Sequence, residues 1–217
     1  MNLLIDGQEV GRETHATRVA ADLRAGILAG DPPPGSKVNL NHLRDRYDVS
    51  LSPLREALSR LVAERLVEIE DHRGFRIAPA SRAMLAELTE MRADLLCLGL
   101  GLSIARGDLD WEGRVLSTLH RVQRGGTGPL AARDASVYLR ALMSGCGRPM
   151  LYDLCVILES LNIRYHNILQ AEVALPDPAQ LADAAVARKR DLAQALLRER
   201  IEQEGAQLAA CWPGADE

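Results

Sequence analysis

Val49-Ser50-Leu51-Ser52-Pro53-Leu54-Arg55-Glu56-Ala57-Leu58-Ser59-Arg60-Leu61 is the stretch on which the reading of this chain turns. Leu54, Ala57, Leu58, Leu61 and Val62 recur at i, i+3, i+4, i+7 and i+8, one apolar stripe of a helix that must face a core. The spacing places Ser52 as the N-cap and Pro53 as the first helical residue, where a missing N–H costs nothing. The opposite face then carries Ser52, Arg55, Glu56, Ser59 and Arg60. A helix N-terminus with a hydroxyl and an Arg can hold a phosphate while its side chains reach base edges. Alone, the segment reads equally as a surface helix with ordinary charges. Its neighbours decide between the two.

Upstream, Val19, Leu23 and Ile27 repeat every four residues and predict a first helix ending near Gly30. The run Asp31-Pro32-Pro33-Pro34-Gly35-Ser36 cannot be helical, because consecutive prolines remove donors and fix φ. Leu40 and Leu43 mark a short second helix ending near Tyr47, and Asp48-Val49-Ser50 is a turn into the third. Beyond Glu64, Leu66-Val67-Glu68-Ile69 and Phe75-Arg76-Ile77 read as two short strands, with His72, Arg73 and Gly74 at the turn between them. Three helices and a two-stranded hairpin make a winged helix-turn-helix.

In this order and spacing, Pro34-Gly35-Ser36, Val49-Ser50, Ser52 to Leu58, Leu61, Leu66-Val67 and Arg73-Gly74-Phe75 resemble the DNA-binding domain of the GntR family of bacterial transcription regulators. The resemblance implies that Arg55 reaches DNA, that Ser50 and Ser52 contact phosphates, and that His72, Arg73 and Gly74 enter the minor groove from the wing. Many relatives have Arg directly after the Val-Ser pair, where this chain has Leu51, so the usual operator sequence does not carry over. Charge gives no help. Residues 1–80 hold 11 Lys and Arg against 12 Asp and Glu. DNA binding must then rest on local placement of arginines, and on dimerisation to add phosphate contacts.

The 217-residue length has room for two modest domains: a winged helix-turn-helix over 12–79 and a second domain over 82–212. With 47% apolar residues but only 3% aromatics, the cores must be rich in Leu, Ala and Val, which favours helices. The four cysteines form no Cys-x-x-Cys pair and suit free thiols in a reducing cytoplasm. The chain shows no charged-then-apolar leader, and its longest apolar run, Leu95 to Ala105, is too short to span a bilayer. The expectation is a cytoplasmic protein with no membrane association.

After Ala78-Pro79-Ala80-Ser81 every segment reads as helix: Met84–Ala105, Trp111–Gln123, Leu130–Ser144, Met150–Gln170, and Pro178–Ala210 broken or bent near Arg198–Gly205. The predicted fold is mainly α, with the winged domain followed by an all-α bundle of about six helices. Leu88 to Arg92, Trp111-Glu112, Tyr138 to Leu142 and Cys146 to Leu151 resemble the FCD effector domain of the FadR subfamily. Most FCD domains hold a divalent metal with an Asp and a His four residues apart and two later histidines. Here those positions fall on Ala135 and Leu139, and near Lys189 and Cys211, so no metal or other cofactor is expected. Asp134 is one residue out of register, about 100° around the helix.

The resemblance implies an effector cavity between helices. Arg92 matches a family Arg near it, and a guanidinium fork suits a carboxylate. Tyr138, Arg140, Asn162, Tyr165, His166, Arg188 and Lys189 are further candidates, each of which reads more readily as an interhelix or surface polar residue. The effector is expected to be an organic acid, held by Arg and Lys with Lys189 where a metal ligand would stand, or an acyl-CoA-like, more apolar compound. Leu96, where the family usually has Glu, leans toward an apolar interior. The expected protein is a homodimeric repressor on a palindromic double-stranded DNA operator, modulated by that effector. The alternative is an effector-independent DNA-binding protein whose bundle only dimerises. No nucleophile–base constellation and no phosphate-cradling glycine loop supports an enzyme.

Overall fold

The computed structural model describes residues 14–71, 73–125 and 129–213. Helix α1 (His15–Ala29) starts at Thr14, whose hydroxyl accepts from the Thr17 N–H at 3.2 Å, and closes on Gly30 in the left-handed region at φ 92°. Its four-residue repeat of Val19, Leu23 and Ile27 is buried. Helix α2 (Leu40–Tyr47) is capped by the Asn39 side chain and contributes Leu43. Helix α3 (Leu51–Ala63) lays Leu54, Ala57, Leu58 and Leu61 onto both. It begins earlier than the expected Ser52–Pro53 start: Ser50 is the N-cap and Pro53 the third helical residue. The first-turn N–H groups have no acceptor in any case, so proline is tolerated throughout that turn.

Strands β1 (Val67–Glu70) and β2 (Gly74–Ile77) pair antiparallel, Val67 opposite Ile77 and Glu70 opposite Gly74. The first strand starts one residue later than the pattern suggested, since Leu66 is used to seal the core under α3. A third extended segment was not foreseen. Gly35 N–H donates to Ile77 O at 3.0 Å, Ile77 N–H to Ser36 O at 2.8 Å, and Val38 N–H to Phe75 O at 2.9 Å. The proline-rich run thus ends by covering the free edge of β2.

The second unit holds six helices among the described residues: α4 (Arg82–Arg106), α5 (Leu109–Arg124), α6 (Pro129–Met143), α7 (Pro149–Leu169), α8 (Pro178–Val186) and α9 (Arg190–Ala210). Helix α4 is the axial element, packed on α6, α7 and above all α9. Its tightest approach is at Gly205, where an added Cβ would lie 2.4 Å from Thr89 Oγ1. The break expected near Arg198–Gly205 is instead at Ala187–Lys189, between α8 and α9. Arg188 sits there at φ 59°, donating to Ile104 O and Gly107 O and lying over the Trp111 ring. In that stretch α9 runs on without a kink, with Arg200 and Glu204 buried in the bundle and Arg198 and Glu202 on its outside.

The two units touch extensively through α1 and α7. Arg24 donates to Glu64 at the end of α3 and, at 2.8 Å, to Ser160 of α7. Asn167 Nδ2 donates to Leu28 O, and Arg164 Nη2 to Ala78 O. Leu161 of α7 packs against the core of the winged domain.

Candidate functional site

The outer face of α3 carries Ser52, Arg55, Glu56, Ser59 and Arg60, all exposed, with Ser50 exposed at the helix start. Ser50 makes no side-chain capping hydrogen bond, and among the described residues its hydroxyl has no other partner, which suits it to meet a phosphate at the positive end of the helix. Arg60 is occupied internally, donating to Glu56 at 2.6 Å and to Thr17 Oγ1 at 3.0 Å. Among the described residues Arg55 has no such partner. Leu51, at the position where Arg is usual, is an exposed apolar side chain. On the wing, Arg73 is exposed, its N–H donating to Glu70 O at 3.0 Å. Gly74 stands at φ 95°, where side-chain-bearing residues are strained. His72 lies outside the described residues.

Inside the bundle, a cavity of about 190 Å³ is bounded by α6, α7, α9 and the 171–178 connection. Its polar wall is His166, Arg200 and Glu204, and its apolar wall includes Ala131 and Ala135. Glu204 is buried, forms an ion pair with Arg92 at 2.9 Å, and accepts from Asn162 Nδ2 at 3.1 Å and His166 Nε2 at 2.8 Å. Burial pushes the Glu204 carboxyl up, but the Arg92 charge and the His166 contact outweigh it and hold the group far below the usual carboxylate range. Glu159 takes Arg92 Nε at 2.8 Å, yet burial, reinforced by the Glu204 charge, outweighs Arg92 and its acid is pushed up. Arg92 is thus clamped between two internal carboxylates. Burial disfavours the Arg200 cation more than the Glu204 charge favours it; its Nη1 donates to Pro176 O at 2.8 Å, and among the described residues it forms no ion pair at contact distance.

The structure brings Arg92, Asn162 and His166 into one network, with Tyr138 beside it donating to Pro178 O at 3.0 Å. Arg140 and Lys189 do not join it: Arg140 is half-buried away from the cavity wall, and Lys189 is exposed at the start of α9. Tyr165 donates to Ser81 O, and Arg188 fastens the α8–α9 turn. Arg200 and Glu204 escaped the sequence reading. Their signal is an i, i+4 polar pair within the apolar register of α9, legible only once that helix is known to be buried and unbroken.

The positions that the FCD resemblance assigns to metal ligands do not carry such a donor set here. Ala135 lines the cavity with a methyl group, Leu139 is in the apolar core, and Cys211 is exposed beyond α9. Asp134 points elsewhere and pairs with Arg121 at 2.9 Å. Among the described residues no three His, Cys, Asp or Glu side chains converge to hold an ion. Among the same residues no helix is long and apolar enough to cross a membrane.

Residues 15–77 match the model of the bacterial regulatory proteins of the gntR family. The HTH-type transcriptional repressor GlaR of Escherichia coli K12 is 32% identical over 200 residues, covering 82% of this chain and 89% of that protein. The HTH-type transcriptional regulator BphR of Paraburkholderia xenovorans LB400 is 34% identical over 197 residues, 83% of this chain and 79% of that protein. Among solved structures, a GntR regulator of Rhodococcus sp. RHA1 superposes with a TM-score of 0.72 at 24% identity, covering 91% of this chain and 99% of that one. Escherichia coli McbR superposes at 0.70 and 19% identity, covering 90% and 97%. These structural likenesses extend the shared fold through the helical bundle.

Proposed function

Because the chain belongs to the GntR family of bacterial regulatory proteins, and is therefore a DNA-binding transcription regulator and not an enzyme, we propose that it is a homodimeric repressor whose FCD-type bundle senses a small organic acid without a metal. The observation that carries this reading is Arg200, a buried guanidinium on a cavity wall with His166 beside it. A buried cation that forms no ion pair among the described residues favours an anionic ligand. At about 190 Å³ the cavity is below the roughly 300–1,000 Å³ of drug-sized pockets, which favours a small acid over an acyl-CoA. Arg92 acts indirectly, by holding Glu204 and through it His166.

The same helix carries the signal outward. On α7, Asn162 and His166 face the cavity network, while Ser160, Arg164 and Asn167 hold the winged domain. Ligand and operator affinities are then linked through the placement of two winged domains on a palindrome.

A thermal-shift screen of full-length protein against small carboxylates, with chelator present, tests this. A ligand at about 100 times its Kd adds about 2.7 kcal/mol, or roughly 5–11 °C for a chain of this size. The hit is expected to vanish in Arg200→Gln and to weaken operator binding by wild-type protein in a shift assay. One equivalent of zinc, nickel or manganese per chain on elemental analysis would refute the metal-free part. The second reading, a bundle that only dimerises, is favoured by the internal neutralisation of Arg92; a screen without hits would support it.

A further inference from the structure

A second cavity, of about 330 Å³, lies where the end of α3 and the linker meet α4 and α7. Its walls are mainly apolar, built from Met84 and Leu88 of α4 and Leu158 and Leu161 of α7. Arg164 also lines it, and this side chain is 3% exposed. One Arg164 nitrogen, Nη2, donates to Ala78 O, while Nε is buried without a partner among the described residues. The Glu68 charge acts on it from a distance, but no carboxylate among those residues forms an ion pair with it. Arg65 adds a second positive charge to the lining, and Glu87 is the acid found there.

A buried guanidinium that keeps its charge needs a counter-ion, and one with an idle N–H needs an acceptor. The apolar walls ask for hydrocarbon in the same molecule. We infer that this interdomain groove is a binding site for an amphipathic carboxylate, its head on Arg164 and its apolar body along Met84, Leu88, Leu158 and Leu161. The site is separate from the bundle cavity, on a different face of α7. Its occupant touches Ala63 and Arg65 directly behind the third helix, together with Pro79 of the linker. Binding there therefore alters how the winged domain sits on the bundle without passing through the bundle interior.

Isothermal titration of the full-length protein with decanoate, with decanol as the neutral match, tests the assignment. Decanoate is expected to saturate at one site per chain and to bind about tenfold tighter than decanol, the charge-assisted contact being the difference. Arg164→Gln should remove that difference. Met84→Glu, at a partly exposed wall position that leaves the core intact, should weaken decanoate about tenfold by like-charge repulsion. Ala131→Leu, which narrows the bundle cavity instead, should leave the titration unchanged. Equal affinity for decanol, or the absence of saturable binding, overturns the proposal. So does loss of binding in Ala131→Leu alone, which would place the acid in the bundle. Failure to bind decanoate combined with a dimer that Met84→Glu splits in sedimentation would assign the groove to a second copy of the chain.

Discussion

Arg55 and Arg60 stand on the same exposed face of α3, yet their surroundings separate their roles. Arg60 spends its donors on Glu56 and Thr17, while Arg55 keeps its fork for solvent or a base edge. Arg55→Ala should cost about 1–3 kcal/mol of operator affinity, measured by shift assay, if it makes one good base contact. Arg60→Ala is expected to act chiefly on stability. The buried carboxylates differ in an analogous way. Glu204 is held low by Arg92 and His166, so its contribution to stability is full above the ordinary carboxylate range near pH 4.3 and fades as pH falls through its lower folded value. Glu159 is pushed up by burial, so its protonation favours the fold and its contribution fades as pH rises. Urea unfolding of Glu204→Gln should therefore show a clear loss at neutral pH, and a gap from wild type that narrows as the medium is acidified below pH 4.

Helix α9 shows how element-level patterning can mislead. Arg198, Arg200, Glu202 and Glu204 within a few residues resemble a polar interruption, yet α9 runs unbroken. Alternate members serve opposite sides: Arg198 pairs outside with Asp94 at 2.7 Å, whereas Arg200 and Glu204 turn inward. The true break occurs where Arg188 takes a positive φ. The packing of α9 on α4 depends on Gly205, since a Cβ there would lie 2.5 Å from Thr89 Cγ2. Gly205→Ala should destabilise the protein by about 1–3 kcal/mol through overpacking. Thr89→Ala in the same chain should recover part of that loss, which a double-mutant cycle by thermal unfolding measures.

Across the whole molecule, α7 is shared. Its inner positions serve the bundle cavity, its outer ones hold the winged domain, and Leu161 completes the core of that domain. The two units therefore do not behave as beads on a string. Asn167→Ala removes the tie to Leu28 O and should cost roughly 1 kcal/mol of docking. Hydrogen exchange should quicken at the end of α1 while the interiors of α4 and α9 stay protected. Equal exchange in variant and wild type would show that the tie carries no docking energy.

The apolar spacing of α1 and α3, the proline run, and the Gly74 turn dictated a winged helix-turn-helix, because these patterns act over a few residues and are read from the local chain. The all-helical second half was legible for the same reason. Which polar residues meet in the bundle was not. Arg92, Glu159, Asn162, His166, Arg200 and Glu204 come from three helices, and whether a buried charge is neutralised or idle depends on which helix it faces across the core. That choice belongs to interhelix packing: it paired Arg92 with two carboxylates, left Arg200 and Arg164 without an ion pair among the described residues, and put Lys189 in solvent.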